Sequence, residues 1–145
     1  MTTKKVLILI SSKLAALELD DLEDLVTPEI LTKLKDRLHQ LSPDQRQMIG
    51  MADSDVVMQF IRSAEFAAAN NRTYFKIFVI FHYIFEHVKI GEEFLERIKE
   101  KKPPPDVKHR HLVVNMQFTR QVLPSLEEDW TIDELNYFHP DVVSV

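Results

Sequence analysis

The chain has 145 residues, 45% of them hydrophobic and 28% charged, and a formal net charge of −5. That length fits one domain, which buries roughly 70% of its unfolded surface and needs no covalent staple. It contains no cysteine, which excludes disulfides, thiolate metal sites, iron–sulfur clusters and a cysteine nucleophile, and only two glycines, Gly50 and Gly91, too few for a phosphate-cradling loop or a turn-rich all-β fold.

At the amino terminus two lysines precede the apolar run Val6 to Ile10. The run is shorter than the roughly 7–15 residues of a secretory h-region, so it reads as a core segment. Leu7, Ile10, Leu14 and Leu17 fall on one helical face and favour a helix over 4–18, with a buried strand over 6–10 as the alternative. Thr27 and Pro28 have the chemistry of an N-cap and first helical position. Ile30, Leu31, Leu34, Leu38 and Leu41 then form the apolar stripe of a helix over 28–41. The tetrad Ser42-Pro43-Asp44-Gln45 is a capping box that opens a short helix ending near Gly50. Val57, Phe60, Ile61, Ala64 and Ala68 recur at helical spacing after a cap at Asp53 or Ser54, and Asn70-Asn71-Arg72 is a turn signal.

The segment from Thr73 to about Lys89 is unusually aromatic, with Tyr74, Phe75, Phe78, Phe81, Tyr83 and Phe85. Lys76, His82, Glu86 and His87 interrupt it, and a membrane span needs about 20 mostly apolar residues. It therefore reads as a buried central helix, apolar on nearly every side. Gly91 breaks that helix, and 92–101 forms a short amphipathic one. The prolines at 103–105 make a linker. Val107, Val114, Phe118 and Val122 resume helical spacing, and the tetrad Thr131 to Glu134 resembles a cap for a last helix over 132–138. The expected fold is all-α: an irregular helical bundle of six or seven helices around the aromatic one, with residues 1–126 as the helical domain and 127–145 as an acidic aromatic segment able to dock on it.

Chemistry-bearing clusters are sparse. His82 and His87 are five apart and His109 and His111 two apart, neither the spacing that puts two ligands on one helical face. Asp36/His39 and Asp106/His109 have carboxylate–histidine spacing, with Glu65 and Glu86 as nominal further ligands, but such pairs arise by chance in a chain this acidic. No serine has a base beside it in the pattern of a nucleophile. The expectation is a non-enzyme with no metal and no cofactor.

Charge is distributed unevenly. Residues 97–120 carry seven basic and two acidic side chains, and 127–141 carry six acids with no lysine or arginine. Aromatic anchors rimmed by charge suit a protein interface. The sequence thus predicts a cytoplasmic interaction or regulatory module: an adaptor, inhibitor or small complex subunit. Its protein partner, or a second copy of the chain, would meet Trp130, Ile132, Leu135, Tyr137 and Phe138. The alternative is a nucleic-acid-associated subunit using Lys99, Lys101, Lys102, Lys108 and Arg110.

Overall fold

The computed structural model describes residues 2–104, 111–127 and 129–138, apart from the side chains of His87, Val88 and Phe138. Helices α1 (Thr3–Ala15), α2 (Pro28–Leu38) and α3 (Pro43–Ile49) come first, with a 3-10 turn at Leu19–Leu22 between the first two. A second 3-10 turn, Asp53–Asp55, leads into strands β1 (Val56–Ala69) and β2 (Arg72–Ile84). Helix α4 (His87–Lys99) separates these from β3 (His111–Leu123) and β4 (Thr131–Phe138). The strands form one antiparallel meander in the order β1-β2-β3-β4.

The fold is thus mixed α and β, not an all-α helical bundle of six or seven helices. The correction falls on the chain from about residue 54 onward. The aromatic segment is central, but as strand β2 between β1 and β3. The segments read as helices over 54–68, 107–122 and 132–138 hold β1, β3 and β4. β-Branched and aromatic residues dominate β2 and recur in the other three stretches, and they suit a pleated surface. The described part of the 107–122 segment has a period of two: Leu112, Val114, Met116 and Phe118 are buried, while the residues between them are half-exposed. Glycine scarcity did not prevent the hairpin, because Asn70 and Asn71 take positive φ of 51° and 62° and make the β1–β2 turn themselves.

Helical signals before Gly50 correspond to helices. Leu7, Ile10 and Leu14 of α1 are fully buried, so Val6 to Ile10 is helix rather than strand. The Thr27 hydroxyl accepts from the Ile30 amide. At α3 both arms of the capping box form: Gln45 donates its amide to Ser42 Oγ at 3.2 Å, and the Ser42 amide donates to Gln45 Oε1 at 2.9 Å. Gly91 breaks nothing; it lies inside α4. The 105–110 part of the proline-rich linker lies outside the described residues.

One sheet face carries the core. Val79, Phe81 and Tyr83 of β2, the four buried apolar residues of β3, and Ile132, Leu135 and Tyr137 of β4 join Leu7, Ile10, Leu14, Leu31, Leu34 and Leu38 of the helices. Two buried phenols tie the layers. Tyr137 Oη and Ser11 Oγ share a hydrogen bond of 2.7 Å across the α1 interface, and Tyr83 donates to the Met48 carbonyl in α3. Burial pushes both phenols well above their ordinary pKa, which keeps them protonated.

On the opposite face, Asp133 sits at a bulge in β4, where the register shifts between Gln117 and Phe118. Its carboxylate accepts from Lys76 Nζ at 2.9 Å, Gln117 Nε2 at 3.0 Å and Thr119 Oγ1 at 2.8 Å, so it pins β2 and β3 to β4. Burial pushes this carboxyl up, but the hydrogen bonds from Gln117, Lys76 and Thr119 together outweigh it and leave the pKa below its ordinary value. A depressed folded-state pKa stabilises the fold above the unfolded value, and that stabilisation is lost as pH falls through the folded one. Asp133→Asn is expected to cost about 2 kcal/mol at pH 7, as for a hydrogen-bonded charge. In urea melts the gap from the parent should narrow below about pH 4. An equal cost at pH 7 and pH 3 would contradict this role.

Candidate interaction edge on β1

The two edges of the sheet differ. The β4 edge is capped by the chain itself at its start: Ile132 donates its amide to the Leu25 carbonyl at 2.8 Å, and Thr27 donates to the Ile132 carbonyl at 3.0 Å. On the β1 side, β2 pairs with one edge of the strand, and among the described residues no backbone pairs with the other. Exposed strand edges are templates for pairing, and proteins guard them with lysine, proline, inward charges or short length. β1 is 14 residues long, has no proline or lysine, and carries only Arg62 and Glu65 as charges.

Its side chains are correspondingly exposed from Val57 through Phe66. Phe66 and Ile61 stand out at 71% and 63% relative exposure. The Phe66 ring lies 5.1 Å from Phe75, and Phe75 lies 6.2 Å from Trp130, so an aromatic row runs from the residue just before β4 to the open edge. Arg120 covers the Trp130 ring at 5.6 Å. Helix α4 adds a further apolar surface, with Phe94, Leu95 and Ile98 exposed.

The residues expected to form the contact surface are divided by this fold. Ile132, Leu135 and Tyr137 are buried in the core. Trp130 is half-buried against that core and belongs to the aromatic row. Phe138 is the last residue of β4, and its side chain lies outside the described ones. Of the basic set, Lys99 ends α4, while Lys101 and Lys102 follow it. Lys102 pairs with Glu100 at 2.8 Å, and Arg97 nearby pairs with Glu93 at 3.2 Å, which neutralises part of the patch locally. Lys108 and Arg110 lie outside the described residues.

Sequence reasoning missed Ile61, Arg62, Glu65 and Phe66 as an edge. The available signal was the Asn70-Asn71 turn between two β-prone runs.

The histidines offer one cluster. His82 Nδ1 and His111 Nε2 are 3.0 Å apart on the face away from the core helices, their rings stack at 5.3 Å, and Phe60 stacks on His82 at 6.0 Å. An N–H···N contact needs one ring to accept, so this pair satisfies itself. Among the described residues, no three His, Asp or Glu side chains gather in a way that could hold a metal ion. Nor is any described helix long and apolar enough to cross a membrane. Comparison with protein-family models, with curated proteins and with solved structures found no match.

Proposed function

We propose that the chain is a non-enzymatic protein-interaction module whose contact site is the outer edge of β1. One observation carries this reading: a 14-residue edge strand, almost unguarded by charge, presents the unpaired backbone together with Phe66 and Ile61. Strand addition supplies affinity through main-chain hydrogen bonds and selectivity through alternate side chains. The aromatic row from Trp130 to Phe66 gives the edge a semi-rigid anchor. The absence of cysteine suits a reducing, cytoplasmic setting.

A photo-crosslinking residue at Phe66, compared with one at the exposed Lys33 of α2, tests the site. Protein adducts should form at position 66 and not at 33. Excess unlabelled chain should compete them away, and excess chain carrying Ile61→Lys and Phe66→Lys should not. Equal adduct yields at both positions would reject the proposal.

A further inference from the structure

We propose that a cleft beside Asp133 binds a small organic cation through a primary ammonium group. The cleft lies at the end of the sheet where β2 begins, β3 ends and β4 begins. Tyr74 pairs with Gln121 there, and Thr119 lies between Lys76 of β2 and Thr131 of β4. Tyr74, Thr119, Gln121, Thr131 and Asp133 enclose about 220 Å³, with Glu127 of the β3–β4 loop in the wall. The described lining residues all lie outside β1, so this site is separate from the strand edge. Two contacts hold the loop in place: the Glu127 amide donates to the Gln121 carbonyl at 3.0 Å, and Arg120 Nε donates to the Glu127 carbonyl.

Gln121 is the residue that points to a ligand. It is only 5% exposed. Its Nε2 donates to the Ser125 carbonyl at 3.2 Å and lies 3.5 Å from the Ser125 hydroxyl. A carbonyl can only accept, so this contact fixes which end of the carboxamide is nitrogen. The other end, Oε1, is buried, and among the described residues no donor meets it. Native structures satisfy nearly all such buried acceptors, because leaving one bare is costly.

The other groups of fixed polarity in the cleft also accept. Thr119 spends its hydroxyl hydrogen on Asp133 and keeps only lone pairs. Ionised Asp133 and Glu127 accept and never donate, while the Tyr74 and Thr131 hydroxyls turn to suit a ligand. A complementary ligand therefore brings donors. Lys76 balances the charge of Asp133, so Glu127 and the exposed Asp129 of the same loop leave a negative excess that draws cations and repels anions. A bare metal ion suits the cleft badly. The Lys76 ammonium already sits 2.9 Å from Asp133, and the volume far exceeds the share of a single water, about 30 Å³. A guanidinium wants a free carboxylate fork, and that of Asp133 is taken by Lys76, Gln117 and Thr119. A primary ammonium has three donors for separate oxygens, which matches Gln121 Oε1, Thr119 Oγ1 and the Glu127 carboxylate.

Titration of the isotope-labelled full chain with n-butylammonium, followed by nuclear magnetic resonance, is the test. The side-chain amide signals of Gln121 and the backbone amides of Thr119 and Thr131 should shift saturably. Butanol lacks the charge, tetramethylammonium lacks the N–H donors and butyrate has the opposite sign; each should bind at least roughly tenfold more weakly. Glu127→Gln should weaken n-butylammonium binding roughly tenfold, and Gln121→Met should abolish it. Circular-dichroism melts of both variants check that the fold is kept, and if Gln121→Met does not fold, the exposed Glu127→Gln decides alone. Absence of any saturable shift would mean that water alone serves Gln121 Oε1 and would overturn the proposal. Equal binding of butanol, or unchanged binding by Glu127→Gln, would overturn it as well.

Discussion

Tyr137→Ala is expected to lower the unfolding free energy by about 3–5 kcal/mol, the cost of deleting a fully buried aromatic side chain and leaving a cavity. The Tyr137 side chain has no solvent exposure, and its hydroxyl is the partner of the equally buried Ser11 on α1. The loss therefore combines apolar burial with a buried hydrogen-bonding group left unpaired. Tyr137→Phe keeps the ring and should cost only about 1 kcal/mol. Denaturant titrations read both. A Tyr137→Ala effect below 1 kcal/mol would mean that β4 is not part of the core, and that the 127–145 segment is a separable surface element.

At the open edge the expected pattern is reversed. Ile61→Lys together with Phe66→Lys should leave the midpoint of urea unfolding within about 1 kcal/mol of the parent, because both side chains are mostly in solvent. Partner association should fall by at least about 100-fold, since the two large apolar side chains of the edge are replaced by lysines, which guard a strand edge against pairing. The contrast between Tyr137 and Phe66 distinguishes aromatic residues that hold the fold from those that meet a partner. Analytical ultracentrifugation beside the melts measures both quantities on the same samples. Unchanged association, or a large loss of stability, would place these side chains elsewhere.

The helices were legible because their signals are local. Thr27, Ser42 and Gln45 satisfy free amides within one turn of themselves, so their chemistry is visible in a tetrapeptide. The strands were hidden for physical reasons that differ between them. β2 is flanked on both sides and carries apolar residues on both faces, Val79 and Phe81 toward the helices and Phe78 and Ile80 away from them, so its run looks like an all-round apolar helix. In β4 the bulge at Asp133 separates the buried Ile132 and Leu135 by three residues, which imitates a helical repeat. β1 has the same disguise, since its irregularity at Arg62 separates Ile61 from Ala64 by three on one face. β3 alone displayed a plain period of two through Leu112, Val114, Met116 and Phe118, and it could have been recognised as a strand.

The candidate site was hidden by the same misassignment. An edge exists only once strands and their order are known, and Phe66 and Ile61 become informative only as side chains of an edge. Acidity around Trp130, Tyr137 and Phe138 drew attention to the last strand instead. Two of these aromatic residues serve other ends: Tyr137 is sealed against α1, and Trp130, just before β4, begins the aromatic row that ends at Phe66.

Residue-resolved amide hydrogen exchange along β1 tests most directly whether that strand is a free edge that another chain covers. In dilute solution, the amides that point toward β2 should be protected while those that point outward exchange at nearly the rate of an open chain. When a partner chain is captured, the outward amides between Met58 and Ala69 should become protected, with the rest of the sheet unchanged. Slow exchange of the outward amides in the free chain, or no added protection on partner capture, would contradict the assignment of this edge as the contact site.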